Sequence, residues 1–121
     1  MGGRFPEIEA DPAKVIRVPV DKQGRMRADA LPELDANTIV CTQAGNVNSG
    51  AFDPLEAICW QARAAGAWVH VDGGFGLWAA ADPERKHLVE GVSMADSWST
   101  DAHKWLNVPY DCGIVLCREP K

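Results

Sequence analysis

The stretch that decides the fold is TIVCTQAGNVNSGAFDPLEAICWQARAAGAWVHVD, residues 38–72. Its two short apolar runs, 38–42 and 68–71, have the composition of buried strands. Between them, in residues 53–66, apolar side chains recur at helical spacing. A strand, a helix and a second strand in this order predict an α/β fold with a mostly parallel sheet.

The two ends of this helix carry recognisable signals. Asp53 followed by Pro54 is typical of an N-cap and a first helical position, where the missing proline N–H would be unpaired anyway. Gly66 is a suitable end, because glycine readily takes the left-handed conformation that closes a helix.

Weaker patterns flank this unit. Residues 1–13, with two glycines and two prolines, predict a loose lead-in. The other predicted segments are a strand at 15–20 weakened by Pro19, a turn at 21–24, a short helix at 28–34, a surface helix or turn at 82–91, and strands at 95–100 and 113–117.

Three unusual loops leave predicted strand ends, at residues 43–50, 72–76 and 101–110. In sheets of this class, ligands bind beyond the carboxyl ends of the strands. The loops are therefore the first place to look for a functional site.

Composition narrows the function further. The 121 residues are 46% apolar and 24% charged, which indicates a single globular domain. A net charge of −5 argues against nucleic acid and anionic membranes as partners, since both attract basic surfaces. No apolar run approaches the roughly 20 residues that span a bilayer, and no signal peptide is evident, so a cytoplasmic location is expected. Four tryptophans, Trp60, Trp68, Trp78 and Trp98, are expected in the core.

The four cysteines fit a reducing compartment. Cys112 and Cys117 form a C-x4-C pair near His103, but no second pair matches it. A zinc-binding module is therefore a weak alternative, and no metal is expected.

Two residues carry the strongest chemical signal. Asp72 ends a predicted buried strand on the same side as His70, although a solvated aspartate that caps the next segment fits equally well. Lys104 lies between His103 and Trp105. A lysine in dry, aromatic surroundings has a lowered pKa and attacks aldehydes. An aspartate and a lysine at one sheet edge are what pyridoxal phosphate requires: the lysine forms a Schiff base and the aspartate keeps the pyridine nitrogen protonated.

Four segments together resemble the group II pyridoxal-phosphate-dependent decarboxylases, which include aromatic-amino-acid and glutamate decarboxylases, and look most like the bacterial branch. The resemblance covers the chain from about Val15 onward. The segments are AGNVNSGAFDP (44–54), WVHVDGGFG (68–76), ADSW (95–98) and DAHKWLNVPYDCG (101–113).

The resemblance implies a partial fold-type I transferase-like large domain over residues 1–121, with helices on the faces of the sheet. It also implies that Lys104 forms the Schiff base with pyridoxal 5'-phosphate and that Asp72 pairs with the pyridinium nitrogen. His103 would contact the cofactor phosphate, Gly74 would lie beside the ring, and Asn46 is a further candidate contact.

The sequence departs from the family pattern at three places. Gly73 and Gly74 replace the commoner Ala-Ala, which removes a methyl group beside the ring. Asp101 stands where many relatives have asparagine near the phosphate, so it is not expected to be a ligand. Gly45-Asn46-Val47 replaces a Gly-Thr-Thr.

The function implied by the resemblance is that of a fragment of an amino acid decarboxylase. The whole enzyme would release CO2 from an L-amino acid and act as a homodimer, whereas the isolated chain is expected to be inactive. The last strand, 113–117, is expected to be antiparallel. The alternatives are another fold-type I enzyme, such as an aminotransferase or a carbon–carbon lyase, and a non-catalytic remnant.

Overall fold

The computed structural model describes residues 11–119. The chain forms β1 (Ile39–Gln43), α1 (Leu55–Ala65), β2 (Trp68–Asp72), β3 (Ser97–Asp101) and β4 (Gly113–Cys117). Short 3-10 turns lie at Pro12–Lys14, Ala28–Ala30, Gly76–Ala81, Lys86–Val89 and Val92–Met94. Most of the predicted lead-in lies outside the described residues.

The four strands form one sheet in the order β1-β2-β3-β4. The first three strands are parallel, and β4 pairs antiparallel with β3. The expected α/β class, the mostly parallel sheet and the antiparallel last strand are confirmed. The register aligns Gln43 with Asp72 and Asp72 with Ser99, so the carboxyl ends of the parallel strands share one edge.

Helix α1 packs on one face of the sheet. Its buried residues Leu55, Ile58, Cys59 and Ala62 join Val40, Val69 and Val71 in the core. The helix ends at Gly66, as predicted: this glycine has a φ of 73°, and its N–H donates to the carbonyls of Ala62 and Arg63.

The role predicted for Asp53 is wrong. The residue that caps α1 is Pro54, and no side chain bonds to the helix end. The carboxylate of Asp53 is 4% exposed and accepts hydrogen bonds from the backbone N–H of Met26 at 2.7 Å and of Gln43 at 2.8 Å. Asp53 therefore ties the segment before β1 to the end of β1, because two otherwise unpaired N–H groups converge on it.

The segments before β1 are less regular than predicted. No strand forms at 15–20: the only pairing there is a single bridge between Val20 and Met26, since a short run that contains Pro19 lacks both a continuous partner and one N–H donor. The turn at 21–24 is confirmed by a bond from the Gly24 N–H to the Asp21 carbonyl at 3.0 Å. The predicted helix at 28–34 is reduced to one 3-10 turn.

Two of the four tryptophans lie at the surface, contrary to expectation. Trp60 on α1 is 64% exposed and Trp68 on β2 is 37% exposed. Trp98 is half-buried against the core and donates from its indole nitrogen to the carbonyl of Val92. The outward faces of α1 and β2 thus carry large apolar side chains.

Helix α1 has 11 residues, which is too short to cross a bilayer. Throughout residues 11–119 no helix has both the length and the apolar character for a membrane span.

Candidate functional site

The three predicted loops do meet at one edge of the sheet. Backbone hydrogen bonds continue the strand pairing beyond the strand ends: Ala44 N–H donates to the Asp72 carbonyl at 2.7 Å, and Asp101 N–H donates to the Gly74 carbonyl at 2.9 Å. Because β2 and β3 are parallel and in register, Asp72 and Asp101 lie on the same face of this edge.

Lys104 is held by Asp101. Its Nζ lies 2.7 Å from Oδ2 of Asp101, and the two side chains are 44% and 29% exposed. The hydrogen bond from Lys104 lowers the pKa of the Asp101 carboxyl. The same bond, with smaller contributions from the charges of Asp101, Asp72 and Tyr110, raises the pKa of Lys104 above its ordinary value.

The prediction of a dry lysine with a lowered pKa is therefore wrong for this chain. Trp105, which flanks Lys104 in the sequence, is 54% exposed and does not form an apolar wall. A carboxylate, rather than an aromatic pocket, determines the protonation of this amine.

Gly74 lies at the centre of the cluster. A Cβ atom at this position would lie 2.9 Å from Nζ of Lys104, 3.4 Å from Oδ2 of Asp101 and 3.5 Å from Oδ1 of Asp72. Asp72, Asp101 and Lys104 thus surround a small space that a methyl group would fill.

Asp72 has a local partner of its own. Its Oδ1 accepts the N–H of Gly74 at 3.0 Å, which is the capping contact weighed for it from the sequence. The side chain is nevertheless exposed, and its other oxygen is available to a ligand. As predicted, His70 lies on the same face, where its ring nitrogens contact the hydroxyls of Ser97 at 2.8 Å and Ser99 at 3.3 Å.

His103 is the best-buried polar side chain of the cluster, at 8% exposure. Its Nδ1 accepts the N–H of Cys112 at 3.0 Å, so the neutral ring carries its proton on Nε2. Nε2 lies 3.9 Å from Oδ2 of Asp101. The ring of Tyr110 packs on His103 with a centroid distance of 4.3 Å, a contact that no local sequence signal indicated.

Asn46 is engaged in its own loop. Its side-chain oxygen accepts the N–H groups of Asn48 at 2.9 Å and Ser49 at 3.2 Å. The structure therefore brings together Lys104, Asp72, Gly74 and His103, while Asn46 shapes the neighbouring loop. Its contact with a cofactor stays a prediction.

Glycines allow the loops after β1 and β2 to touch. A Cβ at Gly45, which has a φ of 94°, would lie 2.6 Å from the ring of Phe75. A Cβ at Gly76 would lie 2.6 Å from the carbonyl carbon of Ala44. The loops after β1 and β2 can lie this close together because these two glycines have no side chain.

The cysteines take no part in this cluster. All four thiols are free, and across residues 11–119 no group of three potential metal ligands converges. Cys59 lies on the buried face of α1, and desolvation raises the pKa of its thiol to about 11.

The cluster contains the groups that pyridoxal phosphate needs. It offers a primary amine for the aldehyde, a carboxylate for a protonated ring nitrogen and an imidazole N–H for a phosphate oxygen. Because Gly74 has no side chain, no methyl group occupies the position 2.9 Å from the amine. The chemistry of these residues at the carboxyl edge of a parallel sheet therefore fits the cofactor.

Residues 7–121 match the pyridoxal-dependent decarboxylase conserved domain, and the chain belongs to this family. It is 36% identical over 103 residues to L-tyrosine/L-DOPA decarboxylase 2 of Lophophora williamsii, covering 78% of this chain and 20% of the relative. It is 33% identical over 115 residues to the aromatic-L-amino-acid decarboxylase of Drosophila lebanonensis, covering 88% and 28%.

A solved structure shows the same fold. The crystal structure of Rhodiola rosea 4-hydroxyphenylacetaldehyde synthase superposes with a TM-score of 0.80 at 26% identity, covering 93% of this chain and 26% of that one. The chain thus spans between 20% and 28% of the length of these relatives. This agrees with the expectation that it corresponds to part of a large cofactor domain.

Proposed function

We propose that this chain is the part of a pyridoxal-phosphate-dependent amino acid decarboxylase that carries the cofactor-binding lysine. The observation that carries the proposal is the meeting of Lys104, Asp72 and Asp101 around Gly74 at the carboxyl edge of the sheet. Family membership supports the cofactor and the reaction class. When bound, the cofactor supplies an electron sink that stabilises the carbanion left after loss of CO2.

Each side chain then has a defined task. Lys104 offers Nζ to the cofactor aldehyde once that nitrogen has lost its proton. The free oxygen of Asp72 holds a proton on the ring nitrogen by charge attraction. His103, with Nδ1 already bound to the Cys112 N–H, donates from Nε2 to a phosphate oxygen. Gly74, which places no methyl group beside Nζ, would lie next to the ring, and Asn46 supports the adjoining loop.

The substrate class follows from this assignment. The substrate would be an L-amino acid that loses its α-carboxylate as CO2. The homodimer and the cytoplasmic location expected from the sequence stay predictions. Size measurement of the whole enzyme and fractionation of the source cells would check them.

The first experiment is a titration of the purified chain with pyridoxal phosphate, followed by visible absorbance and by borohydride trapping with peptide mass spectrometry. We expect a saturable absorbance change and a label on the peptide that contains Lys104. In Lys104→Ala both signals should fall at least about tenfold, because the amine beside Asp72 and Gly74 is gone. Lys86→Ala, a change at another exposed lysine, serves as the matched control and should behave like the original chain.

Equal absorbance and equal total labelling of the chain in Lys104→Ala would contradict the proposal. Such a result would favour the alternative of a non-catalytic remnant. If the cofactor binds, assays of CO2 release and of amino-group transfer with the whole enzyme would separate decarboxylation from an aminotransferase or carbon–carbon lyase reaction.

A further inference from the structure

The ion pair beside Gly74 opposes the reaction of Lys104 with an aldehyde. Nζ of Lys104 lies 2.7 Å from Oδ2 of Asp101, within hydrogen-bond distance. An amine that donates to a carboxylate at this distance is held in its protonated form, and a protonated amine has no lone pair with which to attack a carbonyl.

We propose that Asp101 is a positioning residue that keeps Lys104 as an ammonium ion and so slows its reaction with aldehydes, and that Gly74 provides the space in which this pair forms. The inference rests on the proposed function, in which Lys104 is the group that reacts with an aldehyde. It adds that a residue of this chain, Asp101, regulates the reaction of Lys104 with the aldehyde.

The charged groups around Nζ act in the same direction. Asp101 at the end of β3 is the direct partner, and Asp72 at the end of β2 adds a second negative charge. Tyr110, in the loop before β4, would add a further negative charge only as a phenolate. Nε2 of His103 faces the same carboxylate at 3.9 Å.

Gly74 contributes through geometry alone. A Cβ there would lie 2.9 Å from Nζ, closer than real Cβ atoms approach another heavy atom, and 3.4 Å from the Asp101 oxygen, which is an ordinary contact. The flexible end of the lysine would move aside, because the neighbouring backbone is fixed by the bond from Asp101 N–H to the Gly74 carbonyl. A methyl group at position 74 should therefore separate Lys104 from Asp101.

The affected step can be written in full. The ammonium group of Lys104 releases its proton to solvent, and the nitrogen lone pair then forms a bond to the aldehyde carbon. The carbonyl oxygen leaves as water, which gives an imine. In the test reaction the aldehyde is formaldehyde, and hydride from cyanoborohydride reduces the imine to a methylated amine. Asp101 stays ionised throughout and affects only the first equilibrium.

The experiment measures the rate of reductive methylation at each lysine of the whole chain by peptide mass spectrometry, at about pH 7.5, well below the ordinary lysine pKa of about 10.4. Lys22 and Lys86, in exposed segments, are internal references in the same sample. The variants are Asp101→Asn, Gly74→Ala and the pair combined. Asp29→Asn, which removes a charge from an exposed carboxylate paired with Arg27, is the charge-matched control.

We expect Asp101→Asn to raise the rate at Lys104 about two- to fivefold, the range for loss of an exposed ion pair. Gly74→Ala should raise it as well, and the combined variant should add little, because both changes break one contact. The difference in methylation rate at Lys104 between the variants and the original chain should become smaller as the pH rises past about 10.4, because less of the lysine is then protonated in any of them. A merely structural role for Asp101 would not produce this pH dependence.

The proposal is overturned if the rate at Lys104 in Asp101→Asn stays within error of the original chain, or falls. It is also overturned if Asp29→Asn gives the same gain, which would indicate an effect of net charge. Since formaldehyde needs no cofactor site, the outcome is independent of whether pyridoxal phosphate binds. Circular dichroism of each variant confirms that the fold is retained, and Gly74→Ala tests the pair even if Asp101→Asn does not fold.

Discussion

Replacement of Asp53 by serine separates two roles for a residue at the start of α1. A serine caps helices about as well as an aspartate, so a capping role predicts a change in unfolding free energy below about 0.5 kcal/mol. In the structure the buried carboxylate instead accepts the N–H groups of Met26 and Gln43. Hydrogen bonds to a charged group contribute about 1.5–3 kcal/mol each, which gives about 3–6 kcal/mol for the two.

Denaturant unfolding followed by circular dichroism measures this loss directly. Asp53→Asn should lose about half as much as Asp53→Ser, since its amide keeps one acceptor oxygen but turns a donor toward the other N–H. Asp35→Ser is the matched control, because Asp35 also accepts two local bonds but lies in an exposed turn. If Asp53→Ser is as stable as the original chain, the two hydrogen bonds from Met26 and Gln43 do not contribute as argued, and the capping role fits better.

Two further predictions concern packing around the site and in the core. Gly76→Ala should lower the free energy of unfolding by about 1–3 kcal/mol or more, measured by the same unfolding curves. The reason is that the new methyl group meets the Ala44 backbone rather than a movable side chain. A wild-type transition midpoint would show that the two loops can separate. Cys59 should resist iodoacetamide at neutral pH, while the exposed Cys41 reacts, since burial both shields the thiol and raises its pKa to about 11. Equal labelling of the two cysteines in the folded chain would mean that α1 opens readily.

The sequence was most informative where local pattern and tertiary pairing agree. The runs that became β1, β2 and β4 were recognised because their apolar residues lie in short blocks bounded by polar loops. The run at 15–20 is just as apolar, yet it stays unpaired beyond a single bridge because a strand needs a neighbour as well as a composition. Trp60 lies on the outward face of α1, and composition alone does not show which face of a helix is covered.

The site was predictable in its members but not in its electrostatics. Lys104, Asp72, His103 and Gly74 meet as the motif implied. The protonation of Lys104 was mistaken because neighbours in sequence were taken for neighbours in space. The residue that matters is Asp101, three positions earlier, which returns to the lysine across the turn after β3. An acid three residues before a lysine is too common a pattern to indicate such a pair by itself.

At the opposite edge of the sheet, hydrogen bonds hold three strands together at a distance from the candidate site. There Asp96 accepts the N–H of Val69 through its carboxylate at 2.8 Å and receives the N–H of Arg118 at its carbonyl at 2.9 Å, which joins β2, β3 and β4 at their far ends. Mutational libraries can therefore vary the loops at the carboxyl edge, because the hydrogen bonds of Asp96 at the other end of the strands maintain their alignment.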